Sequence, residues 1–507
     1  MSGTAATRRP DVVVVGAGMA GLAATRWLRS EGFVVLTLEA YDDLGGQWHR
    51  DNPSSGVWPQ MRTNTASFLT RFSDVDHPDG TAVFPRNGEV LDLLRTYAAQ
   101  HDLHESLTFG ARVDEVALLE RGGYRVTWTR AGTTASVETP RVVVATGRYT
   151  TPEPPPVPGW DTFGGRTEHA FDYPGPEAFR DQRVVVCGGA ISALEVLTDL
   201  ATGGAAEVHL AQRRQRYVMP KMYVGTPVES YVFTRALAEG VTSTPLPQQV
   251  AAAEARVLRL AGNPADYGAP APHPDFALAG VTGSQSYLNL VAEDRVVLHG
   301  WPTGTAGRTV RFADGDVEDV DVLLAATGFV LDLPFLDARI STTLGLGPHG
   351  CTAADFTFHP DLPGLALAGL WAQLGPYAVP LEQQARFIAY TFSGRAPAYG
   401  EAAMRAGLEA CVREGHHVGY REQHEMALRF GRLAGVDPTP DRLGDDALLR
   451  ALLPRVAQSA DVFRLVGPDP DPGARERILR DARRFAAPEV RQWLAHDEHP
   501  QEVPWPA

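Results

Sequence analysis

The chain has 507 residues, more than a single hydrophobic core usually spans, so two or three domains are expected. Its formal net charge of −15 argues against a nucleic-acid partner, because neutralising phosphates requires clustered lysine and arginine. No apolar run reaches the roughly 18 residues that a transmembrane helix requires, so no membrane partner is expected either.

The first elements of the chain form a βαβ opening. Asp11–Val15 is a short β-branched run, a glycine turn follows, a helical pattern extends to about Ser30, and Phe33–Leu38 is a second strand. Such an opening is typical of a dinucleotide-binding domain.

The turn carries the dinucleotide fingerprint Gly16-x-Gly18-x-x-Gly21. The first glycine permits the tight turn, the second lets the backbone approach a pyrophosphate, and the third lets the helix pack on the strand. The helix N-terminus favours the diphosphate, and Glu39, after the second strand, would accept hydrogen bonds from ribose hydroxyls. Because this carboxylate would repel a 2′-phosphate, the motif favours FAD or NAD over NADP.

Two short segments extend this interpretation. Gly45-Gly46-Gln47-Trp48 would let the backbone approach the flavin side of the ligand, although an ordinary turn with a packed tryptophan is an equal reading when the segment is taken alone. Further along, the buried-strand candidate Val142–Ala145 leads into Ala145-Thr146-Gly147. We therefore assign Gly46, Gln47, Trp48 and Gly147 to cofactor binding.

A second opening follows the proline-rich connector Thr151–Pro158. Arg183–Val186 precedes Gly188-x-Ala190-x-Ser192-Ala193, and the next strand, Glu207–Ala211, is followed by Arg213 and Arg214. Two guanidinium groups there could bind a 2′-phosphate, which would select NADPH, whereas the alternative is a solvated arginine pair. Ala190 replaces the usual glycine at the closest pyrophosphate approach, so NADPH binding is expected to be weakened or displaced. Gly188, Ala190, Ser192, Arg213 and Arg214 are the predicted NADPH residues.

These patterns predict an α/β fold with two Rossmann-like domains. The strand candidate Val322–Ala325 leads into Ala326-Thr327-Gly328, and we interpret this second Ala-Thr-Gly stretch as the return of the chain to the FAD sheet. Gly328 is assigned to cofactor binding. The FAD domain is then discontinuous, residues 1–173 plus 326–507, with the NADPH domain, 174–325, inserted. From about Ser393 the pattern is mostly helical, which predicts a helical C-terminal extension.

Several further segments resemble the flavin-containing monooxygenases, the class B flavoprotein monooxygenases of the N- and S-oxygenating type. Phe163-x-Gly165-x-x-x-His169-x-x-x-Tyr173 resembles the family fingerprint. Other landmarks occur in the family's order over nearly the whole chain: Leu44 to Trp48, Met61 to Thr65 with Phe72-Ser73-Asp74, Arg213-Arg214, Asp321 to Phe329, Glu382 to Arg386, and Arg464 to Pro468 with Ala474-Arg475.

The resemblance implies an enzyme in which NADPH reduces FAD, O₂ adds to flavin carbon 4a, and the hydroperoxide oxygenates a soft nucleophile of a small molecule. That nucleophile is an amine nitrogen, a hydroxylamine or a sulfide. The resemblance also implies that Asn64 is catalytic beside the flavin and that Thr63 and Gln373 contact the cofactor. From the residues alone, Asn64 could equally be a turn residue, and His169 could be a general base or, more simply, a hydrogen-bonded linker residue.

Three other classes of flavoprotein share parts of this pattern. A Baeyer–Villiger monooxygenase usually carries tryptophan where this chain has Tyr173, and its acidic residue after the glycine pair is not evident here. A disulfide reductase needs paired redox cysteines, whereas Cys187, Cys351 and Cys411 are far apart, form no metal-ligand pair, and suggest a reducing, cytoplasmic compartment. An NADPH oxidase producing hydrogen peroxide is the alternative if Ala190 impairs retention of NADP⁺. The sequence names no substrate, no metal is expected, and a homodimer is a possible assembly.

Overall fold

The computed structural model describes residues 9–243, 245–315, 317–396, 399–413, 415 and 420–495. Two parallel five-stranded sheets organise these residues. The first sheet has the strand order Leu365–Leu367, Val142–Val144, Val12–Val15, Val35–Leu38, Leu107–Thr108. The second has the order Val297–His299, Glu207–Ala211, Arg183–Cys187, Val322–Ala325, Arg166–His169. The predicted α/β fold with two dinucleotide-type sheets is confirmed.

The central strand of the first sheet, Val12–Val15, is buried on both faces, as its unbroken β-branched sequence requires. Val12 and Val14 pack in one core with helix Met19–Ser30. Val13 and Val15 pack in another with an antiparallel three-stranded sheet. The strand therefore ends, at Gly16, between two covering layers.

The second sheet repeats this arrangement around Arg183–Cys187. Val184 and Val186 pack against helix Ile191–Gly203, while Val185 and Cys187 face a second antiparallel three-stranded sheet. The predicted strands 207–211 and 322–325 have the bounds expected from the sequence.

Strand Val322–Ala325 pairs with Arg183–Cys187 and with Arg166–His169, so it lies in the second sheet, within the residues 174–325 assigned to the inserted unit. The interpretation of Ala326-Thr327-Gly328 as the direct return to the first sheet was wrong. The chain returns to the first sheet at Leu365–Leu367, which pairs with Val142–Val144. A short apolar strand before Ala-Thr-Gly carries the same pattern in either sheet, so the pattern could not assign the sheet. Because Arg166–His169 also lies in the second sheet, a division at residue 173 cuts that sheet, and we propose that the second unit begins before residue 166.

The helices after Ser393 confirm the helical extension, because Gln423–Leu433, Ala474–Phe485 and Pro488–Ala495 all contribute buried residues to the main core of the first unit. Helix Ala378–Ser393 lies against helix Met19–Ser30 in the main core, with the Trp27 and Tyr390 rings edge to face at 6.2 Å. The helices are Met19–Ser30, Asn87–Gln100, Ile191–Gly203, Glu229–Val232, Arg235–Ser243, Leu246–Ala261, Phe276–Ala279, Tyr287–Ala292, Ala338–Thr343, Ala378–Ser393, Glu401–Arg413, Gln423–Leu433, Ala447–Leu452, Ala474–Phe485 and Pro488–Ala495. Among the described residues, none of these helices has both the length and the apolar character needed to cross a membrane.

The remaining strands form small sheets. The two antiparallel three-stranded sheets are Ala111–Leu118, Tyr124–Arg130 and Thr133–Thr139, and Pro302–Ala306, Thr309–Phe312 and Val317–Asp319. The two-stranded pairs are Tyr217–Met219 with Val281–Gly283, Met222–Tyr223 with Thr226–Pro227, Thr151–Pro152 with Phe329–Val330, and Gln373–Leu374 with Arg421–Glu422.

Three of the sequence landmarks meet at Ser73. The Glu382 carboxylate accepts from the Ser73 backbone N–H at 2.8 Å and from its hydroxyl at 2.5 Å, and an Arg464 guanidinium N–H donates to the Ser73 oxygen at 3.1 Å. All three side chains are buried. These landmarks therefore tie the segment after Asn64 to the C-terminal helices.

Candidate cofactor sites

A cavity of about 510 Å³ opens where strands Val12–Val15, Val35–Leu38 and Val142–Val144 end. Parallel sheets bind their ligands in this crevice, beyond the carboxyl ends of the strands. The predicted residues that line it are Gly16, Gly18, Glu39, Gly46, Gln47, Trp48 and Gly147. One cavity thus collects seven of the residues that the sequence assigned to cofactor binding, whereas Thr63, Asn64 and Gln373 are not among its lining residues.

The three fingerprint glycines have different constraints. Gly16 has φ +104°, and a Cβ there would lie 2.7 Å from the Ala145 carbonyl oxygen. A Cβ on Gly21 would lie 1.9 Å from the Gly16 carbonyl oxygen, which no side chain tolerates. A Cβ on Gly18 would meet only the Gly46 backbone, Cα at 3.6 Å and N at 3.9 Å, which are ordinary contact distances. The protein itself does not need glycine at 18, so the open space there fits a ligand pyrophosphate.

Glu39 lies at the cavity end of its strand and is only 7% exposed. Its carboxylate accepts backbone N–H groups from Ala17 at 2.6 Å and from Tyr41 at 2.9 Å. Burial raises the pKa of the carboxyl, while the backbone N–H donors act in the opposite direction. These two bonds orient the carboxylate, and its remaining lone pairs fit a ribose diol.

The loop that carries Asn64 reaches this cavity at Thr65, while Asn64 and Thr63 themselves are not among the lining residues. Thr65 lines it, and the buried Thr63 hydroxyl donates to the Thr65 carbonyl at 2.7 Å. The Asn64 Oδ1 atom is buried and has no hydrogen-bond partner among the described residues. Burying an amide oxygen without a partner costs about 1–3 kcal/mol, so such an atom needs a specific explanation. A bound ligand that donates to it is the explanation that fits.

Sequence reasoning missed the residues that hold this loop. Glu229, 2% exposed, accepts from the Ala66 backbone N–H at 2.8 Å, and burial raises the pKa of its carboxyl to about 7. The Lys221 ammonium lies 3.1 Å from Glu195 and 3.5 Å from the Thr63 carbonyl. Glu229 and Lys221 are 163 and 158 positions from their partners in the loop, and no local pattern connects them to it.

The cavity wall opposite the first glycine turn comes from a later loop. Gln373 does not line the cavity: its amide accepts from the Trp371 indole N–H at 2.9 Å and donates to the Pro376 carbonyl at 2.8 Å. Its role at the flavin stays a prediction, and its amide instead braces this loop. Tyr377 does line the cavity, with its hydroxyl 3.1 Å from that of Tyr149.

The second glycine turn repeats the first one's packing. A Cβ on Gly188 would lie 2.5 Å from the Ala326 carbonyl oxygen, just as Gly16 meets Ala145. Ala190 precedes the helix in extended backbone, φ −108° and ψ −178°, so its methyl group causes no strain. Ser192 is exposed at the first turn of this helix, and Gly328, φ +103°, follows the packed Ala326.

Arg213 and Arg214 are both exposed beyond the end of strand Glu207–Ala211. The Arg213 guanidinium lies 4.8 Å above the Trp301 ring, a cation–π contact. The Arg214 carbonyl oxygen is 3.8 Å from the Cβ position of Gly189. The pair therefore borders the second glycine turn, as a 2′-phosphate site requires.

His169 and Tyr173 of the fingerprint make local contacts. The His169 Nδ1 atom accepts from the Phe171 backbone N–H at 3.0 Å, and burial lowers the pKa of the ring. The Tyr173 hydroxyl donates to Asp199 at 3.0 Å. These contacts favour the structural reading of His169 over a general base.

The chain has two parallel sheets, and each opens on a glycine turn. A glutamate borders the first turn and paired arginines border the second. These features define a flavoprotein with two dinucleotide-binding domains. The family description "Flavin-binding monooxygenase-like" matches residues 9–500, and the chain belongs to this family. The resemblance inferred from the sequence is thereby confirmed. The protein is an FAD- and NADPH-dependent monooxygenase that acts on a small molecule with O₂.

Individual relatives agree with this membership. "Dimethylaniline monooxygenase [N-oxide-forming] 2" of Cavia porcellus is 26% identical, over 94% of this chain and 92% of its own. "Flavin-containing monooxygenase 1" of Canis lupus familiaris is 26% identical, over 92% and 91%. Among solved structures, the S-allyl-L-cysteine S-oxygenase of Allium sativum has a TM-score of 0.62 at 24% identity, over 84% of this chain and 88% of that one. The NADP⁺-bound cyclohexanone monooxygenase of Rhodococcus sp. Phi1 has a TM-score of 0.63 at 18% identity, over 84% and 97%.

Proposed function

We propose that this monooxygenase transfers one oxygen atom to a soft nucleophile, an amine or hydroxylamine nitrogen or a sulfide sulfur, of a small molecule. The observation that carries the proposal is the buried Oδ1 of Asn64, which has no hydrogen-bond partner among the described residues and belongs to the residue before Thr65 of the cavity lining. A neutral amide both donates and accepts, so it can hold a polar ligand group without adding charge. This residue type is suited to a site where oxygen chemistry must be shielded from water.

FAD bound in the first site, once reduced by NADPH, supplies the activation of O₂. Gly16 and Gly18 would accommodate its pyrophosphate and Glu39 its ribose. Asn64 would orient the groups at the reacting end, and Glu229 would hold the Asn64 loop through Ala66. Thr63 and Gln373 are proposed as further supports of the cofactor.

NADPH is proposed to bind over the second glycine turn, at Gly188, Ala190 and Ser192, with Gly328 beside it. Arg213 and Arg214 would hold its 2′-phosphate by charge-assisted hydrogen bonds. Since Ala190 has an unstrained backbone, its methyl group affects the ligand and not the fold.

Relatives favour a nucleophilic substrate. One is named as N-oxide-forming and one as an S-oxygenase, at 26% and 24% identity. Cyclohexanone monooxygenases have an equal fold likeness, TM-score 0.62 at 19% identity, so a ketone substrate is the second candidate. Tyr173, where the ketone-oxidising class usually has tryptophan, argues against it. A third outcome, an oxidase that releases hydrogen peroxide, follows if Ala190 shortens NADP⁺ retention.

Oxygen uptake with NADPH separates these functions. A panel of a tertiary amine, a hydroxylamine, a sulfide and a cyclic ketone is tested, with NADPH, hydrogen peroxide and product measured together. The proposal predicts N- or S-oxide formation coupled to NADPH consumption. Lactone formation from the ketone would identify the second candidate, and peroxide equal to NADPH with every compound would identify the oxidase. We also propose a homodimeric assembly, and a cytoplasmic location from the three widely separated cysteines.

A further inference from the structure

Two buried histidines face each other on the side of the second sheet away from helix Ile191–Gly203. His209 lies in strand Glu207–Ala211 and His299 ends strand Val297–His299; the two residues are 1% and 4% exposed. His209 Nδ1 and His299 Nε2 are 3.0 Å apart. Glu318, from the covering antiparallel sheet, completes a group whose ligand atoms all lie within 4.8 Å of one another.

Carboxylates also lie beside the outer nitrogens of the two rings. His209 Nε2 is 3.6 Å from Glu207, and His299 Nδ1 is 3.8 Å from Asp314. Histidines that bind a metal through one nitrogen usually direct the other N–H to a carboxylate or carbonyl. The inner nitrogens therefore face each other as candidate ligands, and each outer nitrogen lies within 4 Å of a carboxylate that a small shift would bring to hydrogen-bond distance.

Two neutral histidine rings carry too few N–H groups for one to lie between the rings and one to point to each of the two outer carboxylates. Two neutral imidazoles carry two N–H groups. If one N–H group lies between the rings, only one N–H group remains for the two outer nitrogens. The second outer nitrogen then turns a lone pair toward a carboxylate. A cation between His209 and His299 removes this conflict, because both inner lone pairs then bind it and both outer nitrogens donate.

We propose that His209, His299 and Glu318 form a binding site for one divalent transition-metal ion, with zinc as the best match. Two imidazole nitrogens, one carboxylate oxygen and a water make a four-ligand set that zinc accepts. Zinc–nitrogen bonds of about 2.0–2.1 Å at tetrahedral angles place the nitrogens about 3.3 Å apart, so the pair needs to open only slightly. The three nearby carboxylates offset the charge of the ion.

The site would fasten the antiparallel sheet to the second parallel sheet beside the proposed NADPH site. The His299 carbonyl accepts from the Gln212 backbone N–H at 3.2 Å, one residue before Arg213. Trp301, two residues after His299, lies under the Arg213 guanidinium. Metal binding at His299 would therefore fix the strand ends that carry Arg213. The role proposed is structural, and it does not depend on the substrate.

The test uses tag-free, FAD-loaded full-length protein, stripped with a chelator and dialysed against zinc. Because His416, His417, His496 and His499 lie outside the described residues and could bind zinc themselves, the same measurement is made in a background with all four changed to Gln. Bound zinc is counted by mass spectrometry, and its ligands are identified by X-ray absorption at the zinc edge. We expect one zinc per chain with two imidazole ligands in both proteins.

Variants assign the site. In the background protein, His209→Gln and Glu318→Gln should each weaken zinc binding at least tenfold and remove the rise in melting temperature that zinc produces, while Glu207→Gln should weaken it about 10–100-fold through orientation alone. His104→Gln and Glu120→Gln, at exposed positions, should change nothing. Glu318 is partly exposed, so its variant tests the site even if His209→Gln fails to fold. Substoichiometric zinc in the background protein, or affinity unchanged in Glu318→Gln, would overturn the proposal.

Discussion

The backbone N–H of Ala66 donates to the carboxylate of Glu229 at 2.8 Å, across 163 residues of sequence. This bond anchors the Asn64 loop, because Ala66 is only two residues beyond Asn64. The other Glu229 carboxylate oxygen has no hydrogen-bond partner among the described residues. Burial raises the pKa of this carboxyl to about 7, against a usual 4.5. The loop that we assign to oxygen chemistry is thus held by a group that titrates near neutrality.

Glu229→Gln should change how stability depends on pH. The folded protein binds the Glu229 proton more tightly than the unfolded chain does, so this group's contribution is fully present below about pH 4.5 and is lost as pH rises to about 7. The loss amounts to roughly 3 kcal/mol. Glutamine keeps an acceptor for Ala66 and has no charge to bury. Melting temperatures from pH 5 to 8 should therefore fall more steeply in the parent than in the variant. Parallel curves would show that Glu229 does not titrate in this range, and Glu120→Gln should match the parent.

The first glycine turn predicts different outcomes at two positions. Gly18→Val should fold but lack FAD, because its side chain projects into the cavity where the pyrophosphate would lie. Gly21→Val should fail to fold, because its Cβ would meet the Gly16 carbonyl at 1.9 Å. The parent should be yellow. Flavin absorbance per protein and the far-ultraviolet circular dichroism distinguish the two defects. Full FAD content in Gly18→Val would mean that the first turn does not bind the cofactor.

Arg213→Ala and Arg214→Ala should alter the choice between NADPH and NADH. Losing one charge-assisted phosphate contact costs about 1.5–3 kcal/mol, or roughly a 10- to 150-fold higher KM for NADPH. The KM for NADH should change little, since NADH has no 2′-phosphate. Steady-state kinetics with both cofactors measure this, with exposed Arg259→Ala as the control. If both KM values rise together, the arginines support the fold and not the phosphate.

Asn64→Asp and Asn64→Leu should separate NADPH oxidation from oxygen transfer. A carboxylate would repel negative charge that develops on bound oxygen, and leucine would leave it without a donor in a site shielded from water. FAD content and the rate of flavin reduction by NADPH should stay close to those of the parent. Product per NADPH should fall while hydrogen peroxide per NADPH rises toward one. An unchanged product yield would mean that Asn64 is a turn residue with no part in oxygen transfer.

The sequence alone determined the local elements and the family. Glycine turns between β-branched strands and helices have few structural solutions, so the turns at Gly16 and Gly188 and the strands 207–211 and 322–325 could be predicted from spacing. The class of cofactor followed from single residues after each second strand, Glu39 in one unit and the arginine pair in the other.

Only the tertiary structure decided which distant segments meet. The strand before Ala326-Thr327-Gly328 has the same apolar pattern as the strand before Gly147, so local sequence could not show that it belongs to the second sheet. Glu229 at Ala66 and His209 at His299 depend on how the sheets and loops pack, and the separation of their partners, 163 and 90 residues, leaves no periodic signal. Local preferences act over a few residues, whereas these buried polar contacts exist only because burial of the surrounding apolar surface brings the segments together.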